Sequence, residues 1–262
     1  MQITGNAFIV TGGASGLGEA TVKEIVKRGG NVAIFDLNGE GAAELAKSLG
    51  SNVLAVGKVD ITSEEDVRLA IEKTVARFGN IAGVVNCGGV AGAAKIARRG
   101  SSAHTMSMDL FDFIVRVNLL GTFNVCRQVA QTMANQEKTY TDEDGERGVI
   151  INTASVAFQD GQAGQTAYSA SKGGVASMTL PMARDLAPAG IRVMSIAPGL
   201  FETNMTANTP PKAKAKILKD AIFPDRMGHA SEYAMLACHL IENTMMNGEI
   251  VRIDGASRLG KL

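Results

Sequence analysis

The stretch NAFIVTGGASGLG, residues 6–18, decides the reading of this chain. NAFIVTG (6–12) is a short apolar run ending in glycine, the pattern of a strand buried on both faces. From Leu17 to Arg28 the apolar spacing is helical, and Gly29-Gly30 stops it. TGGASGLG (11–18) therefore joins a strand to a helix. Gly12, Gly16 and Gly18 let backbone approach a pyrophosphate, and the helix start aims unpaired N–H groups and positive potential at it. A glycine-rich loop alone is a weak signal, but the next strand strengthens it. NVAIFD (31–36) ends in Asp36, 18 residues beyond Gly18, about the interval for a carboxylate that accepts from adenosine ribose hydroxyls. No Arg or Lys adjoins Asp36 in Phe35-Asp36-Leu37-Asn38, so a 2′-phosphate would face an unpaired carboxylate. The expected cofactor is NAD, not NADP.

Outward from this unit the same two periods alternate. Helices are predicted over 39–49, from Thr62 or Ser63 to Gly79, from Met108 to Ala134, from Thr166, and over 231–242. Between them NVLAVGKVD (52–60), IAGVVN (81–86), GVIINTAS (148–155), IRVMSIAP (191–198) and GEIVRIDG (248–255) read as strands. Strands apolar throughout, alternating with helices, imply an α/β fold: a doubly wound parallel sheet of Rossmann type with helices on both faces. Nothing divides the chain, so residues 1–262 are expected to form one domain. Three segments break the rhythm. Val90 to Thr105 carries Lys95, Arg98 and Arg99; Glu137 to Arg147 is charged and expected to be an exposed loop; Gly199 to Gly228 carries Pro210-Pro211 and a lysine-rich run. The first and third leave strands at their carboxyl ends, the ligand edge of such folds, so 90–105 and 199–228 are expected to be substrate-side loops.

Composition excludes several classes. Lys plus Arg and Asp plus Glu each number 26, which leaves no basic footprint for nucleic acid. No apolar run reaches the roughly 18–20 residues of a membrane span, and the start has no secretory or transit pattern. The three cysteines lack metal-ligand spacing, which suits a reducing compartment and no metal. The expected location is cytoplasmic, or the mitochondrial matrix in a eukaryote.

TAYSASK (166–172) places Tyr168 and Lys172 four apart on a predicted helix, hence on one face. A phenol of ordinary pKa near 10 is too weak a base at neutral pH; a nearby ammonium and an oxidised nicotinamide would favour its phenolate. Ser155, at the end of a predicted strand, could hydrogen-bond the reacting oxygen. Asn118 shares a helical face with Phe111, Val115, Thr122, Val125 and Val129, where an amide needs partners if buried. It could hold a water or tie backbone groups together. Each signal has a plain reading as well. A YxxxK pair is commonly an exposed helix pair, and Cys87 is a buried small apolar residue with no cation near it in sequence.

Taken together, TGGASGLG, Asn86-Cys87-Gly88-Gly89, Asn118, Ser155, Tyr168, Lys172 and Pro198-Gly199 resemble the short-chain dehydrogenase/reductase family across essentially the whole chain. The resemblance implies that Tyr168 is the general acid/base and that Ser155 positions the carbonyl or alcohol. It implies that Lys172 binds the nicotinamide ribose and lowers the Tyr168 pKa, and that Asn118 sustains a proton-relay water. A cofactor wall is implied at Gly12, Ser15, Gly16, Leu17, Gly18, Asp36, Asp60, Ile61, Cys87, Gly89, Tyr168, Lys172, Pro198, Gly199, Phe201 and Thr203. Gly88 departs from the pattern, where the family usually has Ala, and is expected to loosen its turn.

Arg147 to Phe201 is similar to the family's type II 3-hydroxyacyl-CoA dehydrogenase subgroup. That implies a homotetramer acting on L-3-hydroxyacyl-CoA, with some members accepting steroids or alcohols. Gly173, Gly174 and Ala176 on the Tyr168 helix, and the last strand, are then expected to meet neighbouring copies. Lys95, Arg98 and Arg99 are expected to meet CoA phosphates, against the plainer reading of a solvated loop. Lys212, Lys214, Lys216 and Lys219 suit either a lid or a solvated helix face, and Pro181 is expected to kink its helix. Other activities compatible with the same residues are a 3-oxoacyl carrier-protein or acetoacetyl-CoA reductase and a hydroxysteroid or secondary-alcohol dehydrogenase.

Overall fold

The structure is a computed structural model that describes residues 1–100, 105–140, 144–203, 206, 222–258 and 260. The lysine-rich run at Lys212, Lys214, Lys216 and Lys219 lies outside the described residues.

Strands β1 (Ala7–Thr11), β2 (Asn31–Asp36), β3 (Val53–Lys58), β4 (Gly83–Asn86), β5 (Gly148–Thr153), β6 (Ile191–Pro198) and β7 (Ile250–Ile253) form one seven-stranded sheet of order β3-β2-β1-β4-β5-β6-β7. Every pairing is parallel. β1 is buried along its whole length, as its unbroken apolar run requires when helices cover both faces. Alternate side chains of β1 feed opposite layers. Phe8 and Val10 pack with α1 (Gly16–Lys27), α2 (Gly39–Leu49) and α8 (Ala230–Glu242), whereas Ile9 packs with α3 (Glu64–Phe78) and α5 (Thr122–Asn135). The strand order reverses between β1 and β4. That opens a crevice at their carboxyl ends, where a doubly wound sheet takes its ligand. No helix among the described residues is long and apolar enough to cross a membrane.

Two expectations change. The Met108–Asn135 rod is α4 (Met108–Val115), a π turn (Arg116–Gly121) and α5. The extra residue in the π turn slips the apolar face, so Ile114 and Asn118 are buried while Phe111 and Val115 are only half-buried. The charged segment before β5 is not wholly exposed. Glu146 is buried and accepts from Arg192 Nε at 2.7 Å. The Arg192 guanidinium, itself buried within apolar β6, also donates to the carbonyls of Leu240, Ile241, Asn243 and Met246. It thereby satisfies carbonyls at the carboxyl end of α8. After the short α6 (Ala157–Asp160), α7 (Thr166–Leu186) continues through Pro181.

Candidate active site

A cavity of about 880 Å³ lies along the carboxyl edge of the sheet. One end is the β1–α1 loop. A Cβ added at Gly12 (φ +62°) would meet Gly88 Cα at 2.8 Å, and one added at Gly18 would overlap the Gly12 carbonyl. Only glycine permits these approaches, which keep the loop flat against the following helix. Asp36 fixes the loop from the next strand: Oδ2 accepts from Ala14 N at 2.9 Å and Oδ1 from Asn38 N at 2.8 Å. Asp60, past the end of β3, spends Oδ1 on Thr62 N and Oγ1, both at 2.8 Å.

The other wall comes from β4, β5, α7 and the segment after β6. Every residue expected at the cofactor wall lines this cavity: Gly12, Ser15, Gly16, Leu17, Gly18, Asp36, Asp60, Ile61, Cys87, Gly89, Tyr168, Lys172, Pro198, Gly199, Phe201 and Thr203. Ser155 joins them. Thr203 reaches over the glycine loop, since a Cβ on Gly16 would lie 3.4 Å from the Thr203 side chain. The Gly88 turn is tied, not loose: Gly88 N donates to Thr11 Oγ1 at 3.0 Å. An added Cβ there would lie 3.2 Å from the same hydroxyl. This cradle fits a dinucleotide, with room for a pyrophosphate against backbone and a carboxylate, unaccompanied by any cation in its own strand end, for a ribose.

Asn118 does not reach the cavity lining. It is fully buried, its Oδ1 accepts from Val90 N at 2.7 Å, and its Nδ2 donates to Val90 O at 2.9 Å and Ser171 Oγ at 3.1 Å. The side chain thus ties the β4 exit loop to α7, and it has no donor left for a water. Lys95, Arg98 and Arg99 are exposed and also absent from the lining. Their loop is held near the cavity mouth through Ala94 N, which donates to Gly164 O at 2.9 Å.

The electrostatics differ from expectation in one respect. Burial pushes the Tyr168 phenol above its ordinary 10, and the opposing downward pull comes from its hydrogen bond with Ser155. Lys172 is turned to the main chain of β5. Its ammonium is buried and donates to Thr153 O at 2.7 Å. Burial lowers Lys172 from 10.5 to about 8, with Cys87 opposing. Burial also pushes the Cys87 thiol up, which makes it a poor nucleophile at neutral pH.

The Lys172 shift carries a stability prediction. Below pH 8 the ammonium is charged both folded and unfolded, and the fold bears the full burial penalty, on the order of 2–4 kcal/mol. Between about 8 and 10.5 the unfolded chain binds the extra proton, so stability from this group rises with pH. Urea unfolding of wild type and Lys172→Met at pH 8 and pH 10 checks this. Wild type should gain about 2 kcal/mol on the variant over that interval. Parallel pH dependences would refute it.

Sequence reading missed Gln165, Thr153 and Tyr233. Gln165 lines the cavity, and its Oε1 accepts from Gln162 N at 2.8 Å, which turns its amide donor away from that contact. Nothing in the linear pattern marks it apart from its place three residues before Tyr168. Thr153 and Tyr233 meet across 80 residues of chain.

Comparison with known proteins places this geometry. The family described as short chain dehydrogenase matches residues 6–214. The chain is 47% identical over 259 residues to 3-hydroxyacyl-CoA dehydrogenase type-2 of Bos taurus, covering 98% of this chain and 97% of the relative. The crystal structure of 3-hydroxyacyl-CoA dehydrogenase type-2 from Mycobacterium avium superposes with a TM-score of 0.90 at 41% identity, covering 98% of this chain and 97% of that one. A 3-ketoacyl-(acyl-carrier-protein) reductase from Brucella melitensis, solved with NADH, gives a TM-score of 0.81 at 30% identity, covering 97% and 98%. With its glycine cradle and its Ser155, Tyr168 and Lys172 on one cavity, this chain belongs to the short-chain dehydrogenase family.

Proposed function

We propose that this protein is an NAD-dependent oxidoreductase that interconverts L-3-hydroxyacyl-CoA and 3-oxoacyl-CoA. One observation carries the reading: a cradle for a dinucleotide and the Ser155–Tyr168 hydroxyl pair share a single cavity. The relatives' names supply the substrate class. NAD fits the Asp36 end because a 2′-phosphate would meet a carboxylate there.

NAD, when bound, would supply the hydride acceptor for C3 of the substrate, and NADH the donor for the reverse reaction. The chain's residues handle the proton. Ser155 holds the C3 oxygen. Tyr168 Oη takes the hydroxyl proton in oxidation and returns it in reduction. Burial favours the protonated phenol, which suits the reductive direction; Ser155 and added positive charge favour the phenolate needed for oxidation. Lys172 holds the nicotinamide ribose and places its charge near Tyr168. Asn118 acts on the site by fixing the Val90 loop; a relay water is assigned to the neighbouring main chain, because the amide's donors are taken. The Gln165 amide donor faces the substrate's thioester carbonyl, and Lys95, Arg98 and Arg99 lie outside the mouth where CoA phosphates would emerge.

The remaining proposals concern assembly and context. The chain is read as one domain over 1–262, and the described residues of its loops 90–105 and 199–228 that line the cavity, Val90 to Ala93 and Gly199 to Phe201 among them, border the substrate. The chain assembles as a homotetramer, as its resemblance implies, and Leu120, Phe123 and Leu180 leave exposed apolar surface on the π turn, α5 and α7 that such contacts would cover. Gly173 leaves open space there, whereas Gly174 is occupied within the chain, its added Cβ meeting Leu119 at 2.7 Å. The free thiols of Cys87, Cys126 and Cys238 suit the cytoplasm or the mitochondrial matrix.

Initial rates with NAD on a panel of 3-hydroxyacyl-CoA esters, a hydroxysteroid and a simple secondary alcohol test the reading. The esters should be favoured by kcat/KM. Gln165→Leu should cut that preference roughly fivefold while leaving the simple alcohol within about twofold, since a buried or oriented donor is worth about 1 kcal/mol. A panel led by the steroid or the alcohol would overturn the substrate assignment.

A further inference from the structure

Behind the Lys172 wall lies a buried polar cluster that the chemistry above leaves unused. Tyr233 of α8 is fully buried. Its hydroxyl lies 2.6 Å from Thr153 Oγ1, and Cys87 Sγ donates to it at 3.7 Å. A phenylalanine ring would fill the same apolar volume without burying a hydroxyl, so the oxygen calls for a reason beyond packing.

The position of Thr153 supplies that reason. The β4–β5 ladder ends at Asn86↔Asn152, one residue earlier. Past that point β5 is paired with β6 alone, through Thr153↔Ile196. On the open side the Thr153 carbonyl accepts from Lys172 Nζ at 2.7 Å, the hydrogen bond that this ammonium makes among the described residues. Tyr233 therefore holds, through its side chain, a residue whose backbone has no β4 partner. The link runs through the carboxyl edge of the sheet. α8 packs on the α1 side, whereas Lys172 comes from α7, whose Ala183 joins the α3 and α5 side.

We propose that Tyr233 is a positioning residue for Lys172: its hydroxyl pins Thr153, whose carbonyl aims the ammonium into the cofactor cavity. The inference rests on the assignment of Lys172 to the nicotinamide ribose. The chemistry of the cluster fits a fixed strut. Burial pushes both the Tyr233 phenol and the Cys87 thiol up, so both stay neutral and hydrogen-bonded while Lys172 carries the charge.

NADH titration, followed by the fluorescence of the bound nucleotide, gives the test, because the chain contains no tryptophan to interfere. Tyr233→Phe should weaken NADH binding about five- to twentyfold, Thr153→Val should do the same, and Thr153→Ser should stay within about twofold of wild type. Placed on a Lys172→Met background, Tyr233→Phe should add less than about twofold, because the residue it acts through is gone. A purely structural tyrosine would lower Tm and weaken binding equally on both backgrounds. That result would overturn the proposal, as would Tyr233→Phe binding NADH like wild type while Lys172→Met binds weakly. If Lys172→Met alone keeps full affinity, the ribose assignment fails first and the proposal falls with it. Should Tyr233→Phe not fold, Thr153→Val and Thr153→Ser on the two Lys172 backgrounds decide the same question.

Discussion

Tyr168→Phe is expected to lower kcat for 3-hydroxyacyl-CoA oxidation by about 10²–10⁴-fold while NADH binds within about twofold of wild type. The ring still fills its place on the cavity wall, so the cradle at Gly12 to Gly18 is undisturbed. What disappears is the one oxygen that exchanges a proton beside Ser155. The nearby groups cannot replace it. The Cys87 thiol is held protonated by burial, and the Lys172 ammonium is turned to the Thr153 carbonyl. Stopped-flow rates and an NADH titration on the same preparation separate chemistry from binding. A variant that keeps more than a tenth of the wild-type kcat would remove Tyr168 from the proton path and would take the proposed mechanism with it.

Asp36→Ala is expected to produce the second large effect, a collapse of cofactor discrimination. In wild type a 2′-phosphate would stand against a carboxylate whose two oxygens are already aimed by Ala14 N and Asn38 N. Like charges brought together cost several kcal/mol, enough for a preference of a hundredfold or more. Removing the carboxylate abolishes that repulsion and also the acceptor for the ribose hydroxyls. The kcat/KM for NAD should fall roughly tenfold while that for NADP rises, and the ratio should shift by about 10²-fold or more. Part of the NAD loss will come from the glycine loop, which loses the bond from Ala14 N. Measuring both cofactors with one acyl-CoA substrate isolates the ratio from that shared loss. An unchanged ratio would mean that Asp36 braces the loop and does not choose the cofactor.

Much of this site was legible before any fold was known, because its contacts are local or are set by strand ends. The glycines, Asp36, Asp60 and Asn86 to Gly89 all stand at or just past the carboxyl ends of parallel strands, and such ends share one edge of the sheet. Tyr168 and Lys172 lie four apart on α7, so one helical turn brings them together. Two linear expectations failed for a related reason. The π turn at Arg116–Gly121 changes the helical period, so Phe111 and Val115, read on one face with Asn118, are only half-buried while Asn118 is buried. Glu146, read as part of an exposed charged loop, is buried because Arg192 from β6 meets it.

The chain alone settled the alternation of apolar strands and helices, the glycine cradle, and the residue types on the ligand edge. Those follow from periodicity and from the absence of a Cβ, which act over a few neighbours. The direction of the Tyr168 shift, the depressed Lys172, the fully spent amide of Asn118 and the strut from Tyr233 to Thr153 waited for the tertiary structure. Each depends on desolvation or on a hydrogen bond between segments tens of residues apart, and burial is a property of the packed fold, not of any stretch of sequence.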